Sequence, residues 1–279
     1  MTHFVALVNI GVPPKGLTKK EEENWIKERF EFIVNPFSEN KEVDPYIYES
    51  RKTIDKEIDE LMKDRNDPNS YVGKEYPNRD FKSEPIDEFI EKWYGMKADK
   101  RGNSLSTYNP SGRWDWYEIG GRWKGRLITK KKQRVDMCKV KELDLEAYHS
   151  EAAKNASVYY ALFVEYIVRT NNGEQSDELK KLSLEFAFSD TPKIEKNDNG
   201  ELEIVESYED FYKRGYNAGY FSFKTFVDVY GWHSETSYGW FGMSHGDEHV
   251  DEYLYAKRFE EKIKSLHDES VLAVVDFHV

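Results

Sequence analysis

The stretch VLAVVDFHV, from Val271 to Val279, constrains the fold of this chain more than any other. Apart from Asp276 and His278, its side chains are apolar at odd and even positions alike, so an extended backbone here needs cover on both faces. Such a strand belongs in the interior of a sheet. A second apolar run of strand length, His3 to Ile10, precedes a turn signal at Gly11. We therefore predict that both runs are buried strands.

Helical and extended patterns are mixed between these two runs. Apolar residues at helical spacing predict helices at Trp25 to Phe30 (behind a Thr18–Glu21 capping box), Ile54 to Met62, Ile86 to Trp93, Leu143 to Asn155 and Tyr255 to Leu266. Runs rich in β-branched and aromatic residues predict strands at Val158 to Val168 and Phe223 to Tyr230, and a hairpin from Ile194 to Val205.

This order of elements favours an α+β fold, with a mixed or antiparallel sheet, a ferredoxin-like (split β-α-β) core and helical insertions. We expect a single elaborated domain over residues 1–279, with a helical insertion at 15–100.

The composition narrows the classes of partner. With 41 basic and 53 acidic residues the net charge is −12, which disfavours binding to duplex nucleic acid because phosphates need a basic face. A single cysteine, Cys138, permits neither an intramolecular disulfide nor a cysteine-based zinc site. There is no signal-peptide pattern and no apolar run of about 18 residues, so we expect a cytoplasmic protein that does not cross a membrane. Cofactors and oligomeric state stay open.

A tryptophan-glycine segment, YNPSGRWDWYEIGGRW at residues 108–123, holds three of the seven tryptophans. On an extended backbone Trp114 and Trp116 would share one face, where their rings can stack on a base. The Gly120-Gly121 pair would expose backbone amides to an anion, and the arginines would bind phosphate or carboxylate. The predicted ligand-binding residues here are Arg113, Trp114, Asp115, Trp116, Tyr117, Gly120, Gly121, Arg122 and Trp123.

A second aromatic-glycine stretch runs from Gly231 to Met243 and contributes Trp232 and Trp240, which we expect to meet the first segment in one aromatic floor. His233 follows a predicted strand and is a candidate general acid or base. Both stretches also have a structural interpretation, in which aromatic clusters pin loops onto the sheet and His233 is an exposed turn residue.

His245 and His249 stand in the pattern H-x-x-E-H, which on a helix would place both imidazoles on one face as metal ligands. Gly246 is a poor helix residue and Ser244 resembles an N-cap, so the pattern favours a solvated helix start over a metal site.

Asp276 and His278 lie on one face of the predicted final strand. A buried carboxylate and a buried imidazole are costly unless they are paired with each other, with an arginine or with a metal. Together with His233 they are the candidate catalytic residues.

The motif GRWDWYEIGGRW, the later GWFGM and the terminal VVDFHV resemble a family of uncharacterised phage, prophage and plasmid proteins. The positions that match run over residues 114–117 and 120–123, with Asp276 and His278. The chain has Tyr230-Gly231-Trp232 where the family suggests an Asp-Gly-x-Trp turn. The resemblance implies a mobile-element accessory protein, for which counter-defence or takeover of host functions is the natural hypothesis.

Two functional hypotheses follow. In the first, the protein acts by binding, and its aromatic-glycine loops contact a nucleotide-like small molecule or a host defence protein. In the second, it is an enzyme acting on a nucleotide or phosphoester, with the histidines and aspartate named above as acid–base groups and Arg113 or Arg122 as the anion clamp. A metal-dependent form would use His245 and His249.

Overall fold

The computed structural model describes residues 2–234 and 252–279, and its mixture of helices and strands confirms the α+β class. The helices are α1 (Lys19–Val34), α2 (Arg51–Arg65), α3 (Tyr71–Glu75), α4 (Ile86–Tyr94), α5 (Leu145–Asn171), α6 (Asp177–Ala187), α7 (Tyr208–Ala218) and α8 (Glu252–Lys264). The strands are β1 (His3–Gly11), β2 (Tyr46–Glu49), β3 (Lys97–Ala98), β4 (Ser104–Ser106), β5 (Trp116–Ile119), β6 (Leu127–Ile128), β7 (Arg134–Val135), β8 (Met137–Lys139), β9 (Ile194–Lys196), β10 (Leu202–Ile204), β11 (Thr225–Asp228), β12 (Gly231–Ser234) and β13 (Val271–His278).

The chain forms two compact units. One comprises Met1–Val34 together with Trp116–Val279, and the other is Asn35–Asp115. The insertion that the sequence predicts at 15–100 overlaps the second unit, although α1 belongs to the first. In the described ranges, no helix combines the length and apolarity that a membrane span requires.

The main sheet has the order β12-β11-β1-β13-β5, and β8 also pairs with β13. Strand β13 lies inside the sheet, between β1 on one side and β5 with β8 on the other, as its apolar sequence predicts. Strand β1 runs antiparallel to β13 and parallel to β11, so the sheet is mixed. The ferredoxin-like core stays a prediction.

Both faces of this sheet are covered. On one face Leu7, Val274 and Phe226 pack with Phe259 and Ile263 of α8 in a single core cluster. The opposite face is aromatic, and its rings come from four strands and α1. These rings are Phe4, Phe277, Trp232, Tyr117 and Phe30.

The prediction of a strand at Val158 to Val168 is wrong, because these residues lie inside the long helix α5. Asp144 caps that helix by accepting the amide of Ala147 at 3.2 Å. Phe163 and Ile167, one helical turn apart, are buried with Phe186 of α6. The run therefore has helical periodicity on its buried side, which outweighs its content of β-branched residues.

Local signals at helix ends are confirmed. The Thr18 hydroxyl and amide both bind the Glu21 carboxylate at 2.7 Å, and Glu21 returns its amide to the hydroxyl. Gly95 ends α4 with a φ of 66°, a conformation that glycine adopts without a steric penalty. Strands β9 and β10 form the predicted hairpin.

The unit Asn35–Asp115 has its own core. Strands β2, β4 and β3 form a small antiparallel sheet in that order. Ile54 and Leu61 of α2 pack with Phe81, Phe89 and neighbouring apolar side chains.

Candidate active site

The start of β1 and the end of β13 bring three polar side chains together at one end of the sheet. The register places His3 opposite His278 and Val5 opposite Asp276. Because cross-strand partners lie on the same face and residues alternate along a strand, both histidines and Asp276 share one face. Two of the three predicted catalytic residues, Asp276 and His278, therefore meet a histidine that the sequence pattern did not single out.

The contact between His3 and Asp276 is direct. Nδ1 of His3 lies 2.9 Å from Oδ1 of Asp276. The Asp276 side chain is 2% exposed and the His3 side chain 14%, so water screens the pair weakly. The ring of His278 stands edge-on to that of His3, with centroids 5.0 Å apart.

The second oxygen of Asp276 holds the tryptophan-glycine segment. Oδ2 accepts the backbone amide of Arg122 at 3.1 Å. A Cβ on Gly121 would lie 2.4 Å from the Asp276 Cβ, and Gly121 has a φ of +46°. Only glycine fits at this position, because any side chain would collide with the carboxylate group that the loop binds.

Gly120 has a similar relationship with a second carboxylate. Its amide donates to the Val274 carbonyl at 2.8 Å, and a Cβ there would lie 2.5 Å from the Asp136 carboxyl carbon. Asp136 in turn accepts the amide of Gly125 at 2.5 Å. The sequence predicts that the glycine pair offers amides to an external anion. Carboxylates of the chain itself explain both glycines without a ligand.

The three tryptophans of the segment lie in different surroundings. Residue 115 is a bend, so the extended backbone that would place Trp114 and Trp116 on one face begins only at Trp116. Trp114 is 7% exposed and bridges Ser38 within the unit Asn35–Asp115. Trp116 is 51% exposed and lies opposite His278. Trp123 packs against the core cluster of the sheet.

Other residues selected in this segment have structural contacts. The Arg113 guanidinium donates to the Gly112 carbonyl at 2.8 Å, and the Asp115 carbonyl accepts from Asn40 at 3.0 Å. The Tyr117 hydroxyl donates a hydrogen bond to Glu31. The pKa of Tyr117 is raised, mainly because the phenol is buried and secondly because it is bound to this carboxylate. The Arg122 side chain is exposed.

Trp232 does not join the site. Its ring packs against Phe4 and Phe277, with centroids 5.8 and 5.2 Å away, on the face opposite to Asp276. Trp240, His245 and His249 lie outside the described residues. Within residues 2–234 and 252–279, no three histidine, cysteine or acidic side chains converge as a metal-binding group.

His233 belongs to a separate pair elsewhere on the sheet. Its Nε2 lies 3.2 Å from Oδ1 of the buried Asp228, and Lys262 is 3.9 Å from the same carboxylate. The register aligns His233 with Phe226, and Phe226 with Leu7. Leu7 is four residues along β1 from His3, which is about 13 Å on a strand, so His233 does not reach the His3–Asp276 pair.

A further histidine that sequence reasoning missed is part of a buried network between helices. Nδ1 of His149 lies 2.8 Å from the Tyr216 carbonyl, and its Nε2 lies 3.3 Å from the Glu260 carboxylate. Glu260 also accepts the Phe221 amide at 2.9 Å and the Lys264 ammonium at 2.6 Å. These contacts join α5, α7 and α8.

The comparisons with known proteins supply no relative for this arrangement. No protein-family model matches the sequence, and neither a curated protein nor a solved structure matches it.

Proposed function

We propose that the protein is an enzyme that uses His3 and His278 as a general acid–base pair on a phosphoester of a nucleotide-like molecule. The observation that carries the proposal is the 2.9 Å contact between His3 Nδ1 and Asp276 Oδ1, with the His278 ring alongside. A carboxylate bound to one imidazole nitrogen sets the tautomer and directs proton exchange to the other nitrogen.

The proposed reaction is hydrolysis of a phosphodiester. Nε2 of His3 takes a proton from water as the water oxygen bonds to phosphorus. His278 is the proposed general acid: its Nε2 is buried in this structure, so substrate binding must first expose it, and it then gives a proton to the leaving oxygen as the bond between that oxygen and phosphorus breaks. The products are a phosphomonoester and an alcohol, and proton exchange with solvent returns both histidines to their starting states.

Two exposed residues support a nucleotide-like substrate: one lies opposite His278, and the backbone amide of the other binds Asp276. Trp116 lies opposite His278 and offers a ring face, on which a nucleobase can stack. Arg122 is fixed through its backbone amide to Asp276, and its guanidinium has the forked geometry that binds phosphate.

Steady-state hydrolysis of bis(nitrophenyl) phosphate tests the proposal. His3→Ala and His278→Ala should each lower kcat by about a hundredfold to ten-thousandfold, the range usual for a general acid or base, and change KM little. His267→Ala, at an exposed turn, is the matched control and should leave both constants unchanged. Equal activity of the wild type and of His3→Ala/His278→Ala contradicts the proposal.

The second candidate is binding without turnover, which the exposed Trp116 favours as an aromatic anchor. On this proposal the protein is a phage or mobile-element accessory protein that sequesters a nucleotide-like ligand or engages a host defence protein in the cytoplasm. Ligand released unchanged by denaturation after long incubation supports sequestration, whereas recovery of a hydrolysed product supports the enzyme.

A further inference from the structure

The unit Asn35–Asp115 contains a cleft of about 530 Å³, lined by none of the residues of the candidate active site. This volume lies within the range of small-molecule sites, roughly 300–1,000 Å³. We propose that the cleft binds one small aromatic molecule that carries an acidic group.

The cleft exists because β3 leaves β4 early. The two strands pair only where Lys97 faces Leu105 and Ala98 faces Ser104. Before Lys97 the chain turns away at Gly95, which has a left-handed conformation at the end of α4. Directly after β4 along the chain comes Thr107, and its carbonyl accepts the Val43 amide at 3.1 Å. Residues 106–108 and Met96 line one space.

Part of the wall of the cleft is apolar, and this part includes two aromatic rings that hydrogen bonds hold in place. Pro45, Met96 and Leu105 supply aliphatic surface beside Tyr94 and Tyr108. The Tyr94 hydroxyl donates to Glu57, which also accepts the indole N–H of Trp93 at 2.9 Å. Rings that are already held in place lose little conformational entropy on binding, so the cleft is preorganised for a flat apolar ligand.

The Tyr108 ring is held in a similar way. Burial, followed by a hydrogen bond to Glu39, raises the Tyr108 pKa to about 12, so this phenol stays neutral at physiological pH. The Tyr108 hydroxyl donates a hydrogen bond to the Glu39 carboxylate, and both residues line the cleft.

The cationic groups of the lining predict the acidic part of the ligand. Lys41 and Lys97 both line the cleft, and neither forms an ion pair with any residue in the described ranges. The lining also carries two carboxylates, Glu39 and Glu42, but neither is paired with Lys41 or Lys97 among the residues that the structure describes, so both ammonium groups stay available to a ligand. A carboxylate, sulfonate or phosphate on the ligand would pair with these lysines.

Two dyes that differ by one acidic group test the proposal on the full chain. Anilinonaphthalene sulfonate is aromatic and anionic, and phenylnaphthylamine has the same ring system without the sulfonate. Fluorescence titration should give one site for each dye. The double variant Lys41→Gln/Lys97→Gln should lower the affinity for the sulfonate dye roughly threefold to tenfold, as expected for the loss of two partly exposed ion pairs. It should leave the neutral dye unchanged.

The matched controls locate the dyes. Thr107→Trp places a large ring at an exposed position of the lining and should abolish binding of both dyes. Lys100→Gln removes an exposed lysine outside the lining and should change nothing. Leu162→Lys alters the exposed apolar face of α5, where a hydrophobic dye has an alternative surface. Dye binding that survives Thr107→Trp but is lost with Leu162→Lys overturns the proposal, as does absence of binding by both dyes.

Discussion

Nδ1 of His3 and Oδ1 of Asp276 lie 2.9 Å apart although 273 positions separate the two residues in the sequence. The antiparallel pairing of β1 with β13 creates this contact, and the same carboxylate then fixes the loop at Arg122. Asp276 thus connects the candidate catalytic histidine to the tryptophan-glycine segment, and its substitution should affect stability and chemistry together.

Asp276→Asn tests this double role. An amide can accept the Arg122 N–H with its oxygen, but its nitrogen can only donate to His3, so the charged acceptor is lost and His3 must take the tautomer with an unprotonated Nδ1. We expect the free energy of unfolding to fall by about 1–3 kcal/mol, the range for buried hydrogen bonds to a charged group. Urea denaturation, monitored by tryptophan fluorescence, measures this free energy. The control is Asp268→Asn, which makes the same change at an exposed position. Equal stability of both variants would refute the role of the carboxylate.

Gly121→Ala should be severely destabilising. The new Cβ would lie 2.4 Å from Asp276 Cβ, in addition to the strain of a positive φ. Gly173 is the matched control, because it has a φ of +73° but a Cβ added there would meet no atom within 4 Å. We expect a loss of roughly 2–4 kcal/mol for Gly121→Ala and about 1 kcal/mol for Gly173→Ala. Equal losses in thermal or urea unfolding would show that Asp276 can move aside.

Cys138 should be inert in the folded protein. Its side chain is buried on β8, and burial raises the pKa of the thiol to about 12, so the reactive thiolate is scarce at neutral pH. A disulfide reagent that releases a coloured thiolate should react slowly with the native chain and quickly in urea. Rapid reaction without denaturant would contradict the burial of this strand.

Acid should weaken the helix network around Glu260. Burial alone raises the pKa of this carboxyl, but hydrogen bonds from Lys264, the Phe221 amide and His149 bring it below its ordinary value of 4.5. A lowered folded-state pKa means that the contribution to stability is complete above about pH 4.5 and is lost as the pH falls through the folded-state value.

The matched comparison is Glu260→Gln with its exposed neighbour Glu261→Gln. Melting temperatures measured from neutral to acid pH should fall more steeply for the wild type and Glu261→Gln than for Glu260→Gln. If the melting temperatures of all three proteins fall in parallel with pH, Glu260 does not cause the loss of stability in acid.

The elements that the sequence predicts well are those with local causes. Thr18 and Glu21 satisfy each other within one turn, and the two-sided apolar pattern of β13 requires an interior strand. The residues around Phe163 have the composition of a strand, and the sequence pattern therefore predicts the wrong element. Their helix packs against Phe186, a partner 23 positions away in the sequence.

In the candidate site, too, the sequence predicts what has a local cause and misses what depends on strand pairing. Asp276 and His278 could be selected because polar groups in an apolar strand need an explanation. His3 stands next to Phe4 in an unremarkable strand start, and only the register with β13 reveals it. The signal that could have found it is the pairing of two apolar runs that each carry a histidine near one end. The pattern singles out Gly120 and Gly121, but their carboxylate neighbours, Asp136 and Asp276, lie elsewhere in the sequence.

Phosphorus NMR of a dinucleotide phosphodiester, incubated with stoichiometric protein, is the most direct test of the acid–base pair. We expect the wild type to convert the diester signal into a phosphomonoester signal, and His278→Ala to leave the diester intact while still binding it. An unchanged diester signal with the wild type, or equal conversion by wild type and His278→Ala, would contradict the assignment of His3 and His278 as an acid–base pair.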